Sequence, residues 1–180
     1  MDVKSYLKSA SLEELIETQK FLNEEIRSRQ AAPQKIKKVL TYTDGASRGN
    51  PGHAGIGILI FDENDRKLFQ DHQYIGECTN NEAEYRALLV ALDRAYEITQ
   101  DEAECYLDSE LVVRQLNGQY SLKSEKMAKF HEEVMQRVAK FSSVKFFNVP
   151  REHPKLQLAD KLANKGIDEA RMGPLTRGGG

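Results

Sequence analysis

Little in this sequence suggests secretion, disulfide bonding or membrane insertion. Only two cysteines, Cys78 and Cys105, occur in 180 residues, with no CxxC spacing and no cluster of His or Cys nearby. Neither a zinc site nor a disulfide is expected, and both thiols read as reduced, small hydrophobic side chains. No apolar run approaches the roughly 20 residues that span a bilayer. The first residues, MDVKSYLKSASLEELIETQ, lack the continuous apolar core of a signal peptide, so a cytoplasmic location is expected. An excess of basic residues is missing too: 26 Lys and Arg stand against 28 Asp and Glu, for a net charge of −2 and a pI near 6.1. That balance runs against a nucleic-acid partner, whose phosphates are normally matched by surplus Lys and Arg. The objection weakens if four carboxylates converge in one site and are offset there by divalent cations. The rest of the chain then carries +2, and a local basic surface is available.

What is present is ordinary for a soluble globular protein, with 39% apolar and 30% charged residues, enough for one well-cored domain and an appendage. Residues 1–34 carry a helical pattern in which Ser11 and Glu14 form an S-x-x-E capping box and Leu12, Leu15, Ile16, Leu22 and Ile26 recur at helical spacing, ended by Ala31, Ala32 and Pro33. A single helix cannot bury its own stripe. It must pack on the following domain, pair with another copy or dock a partner. From Lys38 the period becomes that of strands, over residues 39–46, 54–62 and 67–76, separated by N-P-G and E-N-D-R turns. Helices are predicted over 81–98, 109–118, 124–141 and about 155–171, with strands over 103–108 and 144–150. Three antiparallel strands followed by αβααβα predict an α/β fold, a five-stranded mixed sheet with helices on its faces. The domain reading is therefore a helical extension over 1–34, a globular α/β domain over 35–171 and a flexible tail over 172–180.

Four acids fall in places that local structure explains incompletely. Asp44 closes a strand in which Leu40 and Tyr42 point to the same side, and it also reads as a turn Asp before Gly45. On the helix 81–98, steps of 100° put Glu84 inside the apolar arc of Leu88, Ala91, Leu92 and Ala95, while Glu82 falls beside Arg86 and Asp93 on the polar side. An ionised carboxylate inside such an arc costs several kcal/mol unless paired or metal-bound. Asp108 ends a strand before Ser109, where an acid often only caps a helix. Asp160 lies on the rim of the stripe Leu156, Ala159, Leu162, Ala163 and Ile167, a position that also suits a solvated surface charge, and Asp168 sits on the polar face. If the first and fourth strands are adjacent and parallel, Asp44 and Asp108 meet at their carboxyl ends, where open α/β sheets place ligands, and Glu84 completes the pocket. Such a cluster cannot ionise fully without cations, and oxygen-only ligands suit Mg²⁺ or Mn²⁺.

The segments Thr43-Asp44-Gly45-Ala46-Ser47-Arg48-Gly49-Asn50-Pro51-Gly52, Thr79-Asn80-Asn81 with Glu84, Leu107-Asp108-Ser109 and Asp160-x-Leu-Ala-Asn164 together resemble type 1 ribonuclease H over about residues 38–170. The resemblance implies the RNase H-like fold and hydrolysis of the RNA strand of an RNA/DNA hybrid, leaving 5′-phosphate and 3′-hydroxyl ends. It implies two Mg²⁺ ions, with Mn²⁺ as a substitute, held by Asp44, Glu84, Asp108 and Asp160, with Asp44 bridging. His153, in the loop before Asp160, matches the family's mobile histidine that assists proton transfer or product release. By the same resemblance, Gly45, Ala46, Thr79, Asn80 and Asn81 contact the substrate, whose minor groove displays 2′-hydroxyls on one strand only.

The chain departs from the family in three places. Glu110 stands where many members have Gln, which touches one substrate contact. Only a short link joins Gly118 to Lys126, so the Trp- and Lys-rich basic protrusion of some members is missing, and the chain has no Trp at all. Lys123, Lys126 and Lys129 are the candidates to replace its grip. The N-terminal segment does not resemble the aromatic, basic hybrid-binding domain of some members, and self-association or packing on the following domain is the expectation for it. The alternatives are a nuclease for double-stranded RNA or for DNA, or a non-catalytic nucleic-acid or protein-binding module of the same fold.

Overall fold

A computed structural model describes residues 3–30, 35–122 and 124–172. The helix end at Ala31–Pro33, Lys123 and the tail beyond Met172 lie outside the described residues. The chain divides into two compact units, Met1–Lys35 and Ile36–Gly180.

The first unit contains two helices, α1 (Val3–Ser9) and α2 (Leu12–Gln30), where the sequence pattern suggested one. The division falls at Ser11, whose side chain takes over from the backbone: Glu14 N–H donates to Ser11 Oγ at 3.3 Å, and Ser11 N–H donates to Glu14 Oε2 at 2.7 Å. This reciprocal capping box starts α2 afresh. Leu12, Ile16, Leu22 and Ile26 remain exposed along it.

The second unit is built on five strands, β1 (Lys38–Gly49), β2 (Gly52–Asp62), β3 (Lys67–Cys78), β4 (Glu102–Leu107) and β5 (Ser143–Asn148), in the order β3-β2-β1-β4-β5. The first three pair antiparallel, and β1–β4 and β4–β5 pair parallel. The sheet is mixed and flanked by helices, as the order of elements implied. Strand β2 is apolar on both faces because both are covered: Ile56, Ile58 and Ile60 point to one core, and Leu59 and Phe61 to the other. Each such side chain contributes about 1.5–3 kcal/mol by leaving water. On the first face, α3 (Asn80–Ile98) buries Ala87, Leu88, Ala91, Leu92 and Ala95, with α4 (Glu110–Leu116) and α5 (Glu125–Val138) beside it. On the other, α6 (Pro154–Met172) lays Leu156, Ala159 and Leu162 on Tyr42, Leu59 and Phe61. Gly57 permits that approach, since a Cβ there would run into the Ala159 carbonyl oxygen. Helices α3, α4 and α5 begin at Thr79, Ser109 and Ser124, each accepting a backbone N–H three residues on. Among the described residues no helix is long and apolar enough to cross a membrane.

One phase reading needs correction. Glu82 is buried like Glu84, at 6% exposure, although the helical wheel put it on the polar side. Helix α5 crosses that side, and its Lys126 Nζ stands 2.7 Å from Glu82 Oε2.

Candidate active site

The β1–β4 register sets the first two acids. Tyr42 faces Tyr106, and in parallel strands equal offsets stay opposed, so Asp44 and Asp108, each two residues further on, meet at the carboxyl ends. The third acid arrives because β1 and α3 nearly touch. A Cβ on Gly45 would collide with the Ala83 carbonyl and the Glu84 amide, so only glycine lets α3 come close enough to set Glu84 beside Asp44. The Gly45 backbone N–H then favours the charged form of the Glu84 carboxylate.

Carboxylate oxygens of Asp44, Glu84 and Asp108 lie within 4.8 Å of one another. Asp44 and Glu84 are 5% and 2% exposed, and Asp44 Oδ2 and Glu84 Oε2 have no hydrogen-bond partner. Burial first, then the charges of Asp108 and Asp160, push the Asp44 carboxyl from an ordinary 3.8 to about 7. Burial and the neighbouring Asp44 and Asp108 hold Glu84 well above its usual range, and burial raises Asp108. Buried, unpartnered carboxylate oxygens facing one another are what a divalent cation satisfies. An all-oxygen donor set matches Mg²⁺ or Mn²⁺, so the residues fit the ions that the resemblance implied.

The other expected site residues are placed less uniformly. Asp160, at 29% side-chain exposure, stands outside the trio. Its Oδ1 accepts from Arg151 Nη2 at 2.8 Å, and Arg151 Nε lies 3.8 Å from Asp108 Oδ2. Arg151 was not among the residues singled out from sequence, although a cation in the loop leading to Asp160 was the available signal. His153 makes no described contact with the four acids. Its ring stacks on Tyr42 at 5.2 Å, and its Nδ1 accepts from the Lys155 N–H at 3.3 Å, closing the start of α6. Gly45 is buried, Ala46 is half-buried, and Thr79 Oγ1 serves as the α3 cap. Asn80 and Asn81 are exposed at the helix start, and the Asn80 N–H donates to Asn50 Oδ1 at 3.3 Å. Glu110 pairs with Arg114 at 2.5 Å. Lys126 Nζ stands beside Glu82, and Lys129 beside Glu125 at 3.4 Å, with both lysine side chains mostly exposed.

An α/β sheet with two buried acids and a half-buried third at the carboxyl ends of its central strands and on the covering helix, a cluster that could bind metal ions, defines a domain of the RNase H-like class. The family described as "Reverse transcriptase-like" matches residues 42–166. A ribonuclease HI of Halobacterium salinarum is 34% identical over 138 residues, which cover 77% of this chain and 68% of that protein. The chain belongs to the type 1 ribonuclease H family. It is also 37% identical over 134 residues to the bifunctional protein Rv2228c of Mycobacterium tuberculosis, covering 74% of this chain but only 36% of that longer protein. Among solved structures, LC11-RNase H1 in complex with an RNA/DNA hybrid superposes with a TM-score of 0.69 at 39% identity, covering 74% of this chain and 99% of that one.

Proposed function

We propose that this chain is an endoribonuclease that hydrolyses the RNA strand of RNA/DNA hybrids, leaving 5′-phosphate and 3′-hydroxyl ends. The observation that carries the reading is the cluster of buried Asp44 and Glu84 with half-buried Asp108, in which two carboxylate oxygens are unpartnered. Asp160 is the fourth ligand for two Mg²⁺ ions, which Mn²⁺ can replace. When bound, the ions activate the attacking water and stabilise the leaving oxygen. The protein's part is to hold four carboxylates on rigid elements and to shield two of them from solvent. The backbone at Gly45 and Ala46 and the exposed side chains of Asn80 and Asn81 face the hybrid, and Asn50 fixes the start of α3 that presents them. Thr79 supports that helix start next to a phosphate. Glu110 reaches the substrate only by parting from Arg114. His153 assists proton transfer or product release by leaving its stack on Tyr42. The exposed stripe of α2 serves self-association. Support comes from the relatives named ribonuclease H and from the hybrid held by LC11-RNase H1.

The test is cleavage of matched RNA/DNA, RNA/RNA and DNA/DNA duplexes with and without Mg²⁺. Mg²⁺-dependent cutting of the RNA in the hybrid alone is expected. Preference for either other duplex gives the chain a different substrate, and no cutting of any makes it a binding module.

A further inference from the structure

We infer that Arg151 is the built-in counter-cation of this site, a positioning residue that a divalent ion must displace from Asp160 before the fourth carboxylate joins the other three. The inference rests on the two-ion reading above. It starts from an asymmetry among the acids. Asp44 Oδ2 and Glu84 Oε2 have no protein donor, whereas Asp160 Oδ1 accepts from Arg151 Nη2 at 2.8 Å and from Asn164 Nδ2 at 3.4 Å. Asn164 also holds the Asp160 backbone carbonyl at 3.0 Å, so the side chain is aimed as well as neutralised. The loop carrying Arg151 is anchored on both sides. Asn148 Nδ2 donates to the Asp108 carbonyl at 3.0 Å, and His153 stacks on Tyr42. The guanidinium therefore bridges the Asp160 and Asp108 carboxylates without being locked there, because its side chain is 69% exposed and an open cavity of about 220 Å³ lies beside it. An exposed ion pair of this kind is weak, and a hydrated divalent ion with higher charge can replace it. Three acids are thus preset for an ion, and the fourth is released by exchange of one cation for another.

The experiment is calorimetric titration of Mn²⁺ into chelator-stripped full-length protein, comparing the unsubstituted chain with Arg151→Ala, Arg151→Lys and Lys165→Gln. Lys165 pairs with Glu169 on the same helix and serves as a control for general charge. Arg151→Ala is expected to tighten the weaker Mn²⁺ site roughly three- to tenfold, or to reveal a second site if the unsubstituted chain shows one. Arg151→Lys should fall between, and Lys165→Gln should match the unsubstituted chain. In chelator Arg151→Ala should also melt lower, with the difference closing at saturating Mn²⁺. Unchanged or weaker Mn²⁺ binding in Arg151→Ala, or equal tightening in Lys165→Gln, overturns the inference. Absence of Mn²⁺ binding by the unsubstituted chain overturns the two-ion reading itself and this inference with it.

Discussion

Asp44 sits under electrostatic strain in the site, and its consequences are measurable without substrate. Its carboxyl is raised from 3.8 to about 7 in the folded protein, so between those values the folded state binds the proton that the unfolded chain has lost. The contribution of this carboxyl to stability is therefore fully present below about pH 4 and is lost as pH rises towards 7. Melting temperature in chelator should drop across that window, and Mg²⁺ should restore most of the loss at pH 7 by taking the proton's place. A flat profile in chelator, or no response to Mg²⁺, would count against the buried cluster. Residues were unequally legible from sequence. Asp44, Glu84 and Asp108 could be singled out because strand alternation and helical phase are local properties. Glu82 could not, because its burial comes from Lys126, brought over it by a helix 44 positions later. Arg151 escaped because a loop has no period to mark a residue that faces inward.

Elements act here through close approach. Gly45 lets β1 meet the start of α3, so Gly45→Ala should force the helix outward and draw Glu84 from Asp44. The expected outcome is a stability loss of about 1–3 kcal/mol in chemical denaturation, with cleavage falling by at least tenfold. Full activity in that variant would show that Glu84 need not sit where it does. The helix α2 poses a different question, since Leu12, Ile16, Leu22 and Ile26 remain exposed along it. If the stripe pairs two copies, the triple substitution Ile16→Ser, Leu22→Ser, Ile26→Ser should shift light scattering from dimer to monomer mass while cleavage per chain stays the same. Equal mass for both proteins would leave α2 with another role. The Ser11 capping box, which marks the start of α2, was readable in the sequence, but the separate short helix α1 before it was not singled out.

For the whole molecule, the order of strands and helices alone implied a mixed sheet, and the β3-β2-β1-β4-β5 arrangement follows from parallel crossovers that keep β1 central. The net charge of −2 fits a nucleic-acid substrate only if the acids are concentrated where cations neutralise them, and the convergence of Asp44, Glu84 and Asp108 supplies that concentration. Substrate grip was less legible. Lys126 and Lys129 were candidates from sequence, and in the fold each stands beside a glutamate with its own side chain mostly exposed. The central claim, that these carboxylates drive metal-dependent hydrolysis of RNA in a hybrid, is met most directly by Asp108→Asn. Removing one charge from a cluster of like charges should leave the fold intact by circular dichroism and keep the melting temperature in chelator at or above its original value. Cleavage of a strand-labelled hybrid in Mg²⁺ should fall by about a thousandfold, the loss of several kcal/mol of transition-state stabilisation. A folded Asp108→Asn protein that cuts the hybrid at the unsubstituted rate would contradict the claim.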